Sequence, residues 1–413
     1  MKKITLLVTL FIASLSFAQI PTQRTCGMEQ YMSMKLQDSA YAAQYNSIQQ
    51  RFNEHQENTN FMPPATYLIP VAVHFPEANE SNRACLEALA QNQVDILNDD
   101  FGGTNADLSN WSSASTYYPG INTGAVSVRF ELATLNHPAG TDPDLVEGGP
   151  AVTIGYNFGG GGDSDSNWAG YFNFLVKDIG GGLLGYSPLG GIPSNGDSVV
   201  MNIFAFGSGA GCPGYVPGAP YDLGRTVTHE VGHHLNLPHT WGNGGCSSDD
   251  GVSDTPNIDG PSYSCPADGS VTMCGNTSLT MNFMDYVNDA CMYMITEGQA
   301  NRVTDYLDII YPDYDQDVLS TNDFTINDFA VYPNPVNLES DKVINISING
   351  NTNVDNIEIA FFQLDGKEIK LTSNRSLNDN NTITLDVSQL SGGLYFVKIK
   401  DGSKQTTKKI IIK

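Results

Sequence analysis

The chain has 413 residues, of which 40% are hydrophobic, enough to bury a full core in two or three domains. Its 20 Lys/Arg stand against 45 Asp/Glu, and a formal net charge of −25 excludes a surface for nucleic-acid phosphates, which need basic partners. The acidity is uneven: residues 329–413 hold ten Lys/Arg and nine Asp/Glu, the first 328 residues ten against thirty-six, so a domain boundary is expected between them.

In chain order, Met1-Lys2-Lys3, the apolar run Ile4 to Leu15 and the small residues Ser16 and Ala18 predict a secretory signal over 1–18, cleaved after Ala18. That run is too short to span a bilayer and no later segment replaces it, so no transmembrane segment is expected. Residues 19–62 are polar and Gln/Asn-rich, with one helix predicted over Met28 to Glu57, and read as a propeptide. In the central part, 63–312, strands are predicted at Thr66 to Phe75, Val126 to Leu135, Asn173 to Ile179 and Asp197 to Phe206, with an amphipathic helix at Arg83 to Phe101. This is an α+β pattern: a mixed sheet, a backing helix and a cleft beneath the sheet's edge. The Gly-rich stretch Gly159 to Gly170 lacks the Lys-Ser/Thr of a phosphate cradle. Its Asp163, Asp165 and Asn167 start like an EF-hand, but Trp168 and Phe174 stand where Gly and Glu are needed, so a flexible surface loop is expected.

The run His229 to His239 reads HEVGHHLNLPH. On a helix over Thr226 to Leu235, His229 and His233 leave one face and can bind one ion, while Glu230 stays free to act on water. His239 reaches the same ion only if the chain turns back. Asn236 tolerates the left-handed backbone such a turn needs, and Pro238 stops the helix from resuming. Three imidazoles with a fourth position open predict a catalytic zinc site with Glu230 as general base. His234 points away from that face and reads as packing or surface. A structural zinc with all four positions closed is the alternative, but it has no use for Glu230. Zinc hydrolysis of a small amide is a third reading.

The stretch TVTHEVGHHLNLPHTWG resembles the active-site helix of the pappalysin family of metzincin zinc proteases, the group that includes the cytophagalysins. MNFMDY, Met281 to Tyr286, is similar to the family's Met-turn. The resemblance implies that Met284 floors the zinc site and that the Tyr286 hydroxyl stabilises the oxyanion. GLLGYS (Gly182 to Ser187), DGVSDTP (Asp250 to Pro256) and TEGQANRV (Thr296 to Val303) extend it. It further implies an edge strand near Gly182 to Ser187 that pairs with extended peptide substrates, and calcium at Asp250 and Asp254 beside Asp249; a solvated acidic turn is the other reading of those aspartates. Seven cysteines in an exported protein suggest three bridges and one thiol left over. Spacing leaves three connectivities open for Cys246, Cys265, Cys274 and Cys291; the resemblance implies Cys246–Cys274 and Cys265–Cys291. Parity alone suggests Cys85–Cys212. Cys26, in RTCGMEQ, then reads either as a zinc ligand of the latent form or as a plain unpaired thiol.

The polar, acidic residues 313–328 read as a linker. Residues 329–413 alternate as strands at Val343 to Asn349, Asn356 to Leu364, Thr382 to Val387, Gly393 to Lys400 and Lys408 to Lys413, with turns at Asp365-Gly366 and Asp401-Gly402, and predict a small Ig-like β-sandwich. Tyr332 to Val336, Ser391 to Ile399 and the basic end resemble the C-terminal sorting domain of the type-nine (Por) secretion system. That implies the outer-membrane secretion machinery as a partner, a secreted or cell-surface destination and removal of this domain. An adhesion or carbohydrate-binding sandwich is the alternative.

Overall fold

The computed structural model describes residues 20–56, 66–180, 182–319, 329–338, 342–348, 357–363, 367–369, 376–378, 382–401 and 404–413. The signal reading at 1–18 lies outside the described residues, as does the turn at Asp365-Gly366. The chain divides into two compact units at Leu319.

The first unit is built on a mixed sheet. Parallel strands β1 (Tyr67–Phe75), β2 (Val128–Leu132), β3 (Val152–Ile154), β4 (Phe172–Val176) and β6 (Ser198–Met201) are completed by the antiparallel edge strand β5 (Gly185–Tyr186). The order is β2-β1-β4-β6-β5, with β3 beside β1. Every residue of β1 but Leu68 is buried, as expected of a central parallel strand covered on both faces. Helices α1 (Met28–Lys35) and α2 (Ser39–Gln56) precede the sheet; α3 (Arg83–Gly102), the short α4 (Trp111–Ala114), α5 (Arg225–His234) and α6 (Glu297–Ile310) follow in chain order. One large apolar cluster joins Val71, Phe75, Leu97, Phe174, Val231, Met284 and Leu307, and takes in Ile48 and Phe52 of α2. Two-residue ladders β7 with β10 (Tyr263–Ser264, Tyr286–Val287) and β8 with β9 (Thr272–Met273, Asn276–Thr277) shape the long segment between α5 and α6. Bridges join Cys85 to Cys212, Cys246 to Cys274 and Cys265 to Cys291, leaving Cys26 free.

Three expectations change. The helix predicted over Met28 to Glu57 is two helices, because the Asp38 carboxylate accepts the Ala40 and Tyr41 N–H groups and starts a new one. Gly159 to Gly170 is pinned rather than free. Trp168 and Phe158 are buried under the sheet, and Asp165 accepts from the Tyr156 hydroxyl and the Gly159 and Asn167 amides. The linker starts later than 313, since Tyr314, Val318 and Leu319 are buried and the Val318 carbonyl accepts the Thr134 and Leu135 N–H groups. The three residues of β3 carry no sequence signal long enough to show a strand, whereas β5 lies within Gly182 to Ser187, where the family resemblance implies an edge strand.

In the second unit, antiparallel sheets β11-β12-β16-β15 and β14-β13-β17-β18 comprise Phe329–Tyr332, Val343–Ile348, Thr382–Asp386 and Ser376–Asn378, and Glu368–Ile369, Ile357–Gln363, Gly393–Asp401 and Lys404–Ile412. Ile344, Ile346 and Leu385 of one sheet and Phe361, Val397 and Ile410 of the other share one apolar core. Among the described residues, no helix is long and apolar enough to cross a membrane.

Candidate metal centre and its cleft

Helix α5 presents His229, Glu230 and His233, all at most 1% exposed. It ends at His234, and Asn236 takes the left-handed conformation with φ of 69°. The turn is tied by Leu237 N–H to Gly232 C=O and by the Arg302 guanidinium to the Asn236 carbonyl, and it carries His239 back over the helix. Gly232 has a packing reason: a Cβ there would lie 2.4 Å from the Met284 sulfur, so any larger residue would push that side chain out of its place beneath the helix. His234 faces away, buried against Phe172 with ring centroids 4.4 Å apart. Burial pushes its pKa down to about 3, so it packs as a neutral ring.

The three other rings converge. His229 Nδ1 lies 2.7 Å from the Phe283 carbonyl and His233 Nδ1 2.7 Å from the Leu237 carbonyl. A carbonyl only accepts, so each Nδ1 carries the proton and each Nε2 turns a lone pair inward. His233 Nε2 is 3.1 Å from the Nε2 atoms of both His229 and His239. Burial and mutual repulsion hold His229 and His233 well below the usual imidazole range, so neither proton nor donor bridges them. Lone pairs held that close call for a cation, and the spacing approaches the roughly 3.3 Å edge of a tetrahedron with bonds of about 2.0–2.1 Å. The donor set therefore fits a metal ion such as zinc. Cys26 Sγ completes a set of four ligand atoms within 4.8 Å of one another.

Glu230 Oε2 accepts from Cys26 Sγ at 3.3 Å, while Oε1 is buried with no hydrogen-bond partner. Burial raises its pKa to about 8. Tyr286 stands against the same space, 5.0 Å from the His239 ring and 4.8 Å from Trp241 between centroids. Burial pushes its phenol up, so it is a donor. Cys26 is held by strand-like pairing to the sheet edge: Gly27 N–H to Gly185 C=O, Leu184 N–H to Thr25 C=O, and a parallel bridge between Cys26 and Gly185.

Beside the triad is a pocket that sequence reasoning missed. Arg24, 2% exposed, sends Nη2 to Asp289 Oδ1 at 2.6 Å, Nη1 to Thr226 Oγ1 at 2.9 Å and Nε to the Val287 carbonyl at 3.1 Å, with Tyr221 5.1 Å from the guanidinium carbon. The other oxygen of Asp289 is fixed by the Leu223 and Arg225 N–H groups. The only signal was spacing: residues two apart on an extended segment share a side, so Arg24 and Cys26 point into one cleft. Asp250 and Asp254 do not gather. Asp250 accepts from Thr255 and Val252, Asp254 from Thr296 and Gly298, and neither belongs to a cluster of ligand atoms among the described residues.

The family model described as Pregnancy-associated plasma protein-A matches residues 216–308, and that for a secretion system C-terminal sorting domain matches 330–413. Extracellular metalloprotease 1 of Coccidioides posadasii is 40% identical over 139 residues, 32% of this chain and 47% of that protein. The chain thus spans about half the length of the curated relatives it matches. Among solved structures, a mutant of Tannerella forsythia promirolysin is 30% identical with a TM-score of 0.51, covering 70% of this chain and 95% of that one. Mirolysin in complex with a compound is 32% identical with a TM-score of 0.50, covering 62% and 98%. The sorting domain marks a secreted or cell-surface protein. The chain belongs to the pregnancy-associated plasma protein-A, or pappalysin, family of metallopeptidases.

Proposed function

We propose that the chain is the zymogen of a secreted zinc endopeptidase that cleaves peptide bonds next to a basic residue. The observation that carries this is the pairing of Thr25 to Gly27 with the sheet edge as a peptide, with the Cys26 sulfur gathered with the three histidines and Arg24 in the Asp289 pocket.

His229, His233 and His239 would hold zinc. Bound there, the ion supplies Lewis acidity, lowering the pKa of a water and polarising the scissile carbonyl. Glu230 takes the proton from that water at the unpartnered Oε1 and returns it to the leaving amine. Tyr286 donates to the oxyanion, and Met284 gives the site a rigid apolar floor. The edge β5 offers N–H and C=O groups to an extended substrate. In an extended chain a side chain two residues from the reacting position lies about 7 Å away, so a substrate Arg in the Arg24 pocket flanks the scissile bond. Asp289 would recognise its guanidinium.

Latency follows from the same contacts. The Cys26 sulfur takes the place of the catalytic water, and the silent form lasts until the segment over 19–62 leaves. The match to promirolysin covers more of this chain than the match to mirolysin, in keeping with that division. The C-terminal unit, read as an Ig-like sandwich, would engage the outer-membrane secretion machinery. Proteome-derived peptide cleavage profiling of the matured protein, with and without a chelator, tests the reading. Chelator-sensitive cleavage beside Arg is expected; a zinc-loaded protein that cleaves no peptide overturns it.

A further inference from the structure

The N-terminal segment makes a second cation–carboxylate contact on the other side of Cys26, and nothing in the peptidase chemistry uses it. Lys35 ends α1 and sends Nζ to Asp197 Oδ1 at 2.9 Å and to Ser164 Oγ at 3.0 Å. Asp197 is fully buried. Its other carboxylate oxygen accepts from the Tyr41 hydroxyl at 3.2 Å and from the Ile192 N–H at 3.2 Å. Two of these three partners, Lys35 and Tyr41, belong to the segment that must leave. Maturation therefore strips a carboxylate of its counterion and leaves it one main-chain donor, with Ser164 beside it. A group in that state gains free energy from any cation that reaches it.

Two distances place Asp197 along the cleft. Helix α1 follows the edge beyond Cys26, since Tyr31 lies against Tyr186 with centroids 5.0 Å apart. Its eight residues cover about 12 Å. Independently, Gly185 pairs with Met201 and Tyr186 with Val200 in antiparallel register, so Asp197, four residues before Met201, lies about 13 Å along the same edge. An extended peptide spans either distance in about four residues. Because Arg24 precedes Cys26 and Lys35 follows it, the Asp197 site is on the opposite flank from the Asp289 pocket.

We propose that Asp197, with Ser164, is a second substrate subsite, selecting a Lys or Arg side chain three to five residues from the scissile bond on the flank opposite Asp289. The inference rests on the peptidase reading and on departure of residues 20–56. The matured enzyme would then read two cations in one peptide, one on each side of the bond it cuts.

The test uses the full chain, zinc-loaded and activated by limited proteolysis of its N-terminal segment. Peptides share one Arg for the Asp289 pocket and differ only by Lys or Ala at each of positions two to six on the other flank. The expected result is about a tenfold gain in kcat/KM from Lys at one or two of the three central positions, carried by KM and reduced by salt. In Asp197→Asn the Lys-to-Ala ratio falls to about one, and in Asp197→Lys a Glu at that position is favoured over Lys. Cleavage by the wild-type enzyme with no preference at any position overturns the subsite while leaving the peptidase reading standing. Absence of cleavage of every peptide by zinc-loaded protein overturns both.

Discussion

The metal triad and the Asp289 pocket are neighbours in one cleft, yet they are built in opposite ways. His229, Glu230, His233 and His239 come from eleven consecutive residues, one helix and one turn. The pocket draws Thr226 from the helix, Tyr221 from the loop before it, and Val287 and Asp289 from beyond the Met-turn, and its present occupant from the N-terminal segment. On the proposed reading, the reaction's chemistry would be written locally, whereas the choice of substrate would be assembled by the tertiary fold.

Removing one part at a time separates the two. Glu230→Gln should cut kcat by at least about a thousandfold while zinc content, read by metal analysis, stays at one ion per chain. If catalysis survives, proton transfer does not belong to the local motif. Asp289→Asn should lower kcat/KM for Arg-containing peptides by about a hundredfold, because a guanidinium would be desolvated against a neutral amide. Peptides with a neutral residue there should lose far less, and equal losses would show that Asp289 supports the fold rather than recognition. Cys26 touches the triad while its neighbour Arg24 fills the pocket, so Cys26→Ala should raise the activity of the intact, unprocessed chain by at least about tenfold without making it fully active. An unprocessed variant as silent as the wild type would place latency in Arg24 and the helices instead.

Much of the triad was legible because its requirements are local: a four-residue helical spacing, a residue that tolerates positive φ at Asn236, and a proline to end the helix. Gly232 carried a signal that went unread, since its missing Cβ leaves the space that the Met284 sulfur occupies. The central strands were legible from long apolar runs and the edge strand β5 from the family resemblance alone, but β3 is three residues long, and its conformation is imposed by the β1 strand it pairs with. Residues 36–38 broke the predicted N-terminal helix because a single Asp38 carboxylate competes for the next turn's amides. Residues 159–170 looked mobile from glycine content. That reading weighed backbone freedom and missed the burial of Trp168, which fixes the loop against the sheet. Asp289 and Asp197 were invisible for a simpler reason: a carboxylate's role depends on which cation reaches it across hundreds of residues.

A residue remote from both regions provides the control for the whole comparison. His74, fully buried on β1, bonds through Nδ1 to Thr153 Oγ1 at 2.8 Å and through Nε2 to Asn173 Oδ1 at 3.2 Å, under Phe158 and Trp168. Burial lowers its pKa from the ordinary 6.5 to about 4, against smaller opposing effects from Asn173 and Asp165. Between those values the unfolded chain binds a proton that the folded chain refuses, so the stability His74 contributes is complete above pH 6.5 and drains away as pH falls toward 4. The loss is about 3 kcal/mol over the window, or about 1.4 kcal/mol per pH unit. His74→Gln cannot titrate. The gap between wild-type and variant unfolding free energies, measured by denaturant titration, should therefore narrow by about that amount from pH 7 to pH 4, while the variant's peptide preference stays unchanged. A gap constant with pH would mean that His74 is protonated in the folded core, and its hydrogen bonds to Thr153 and Asn173 would then have to be reassigned with both ring nitrogens as donors.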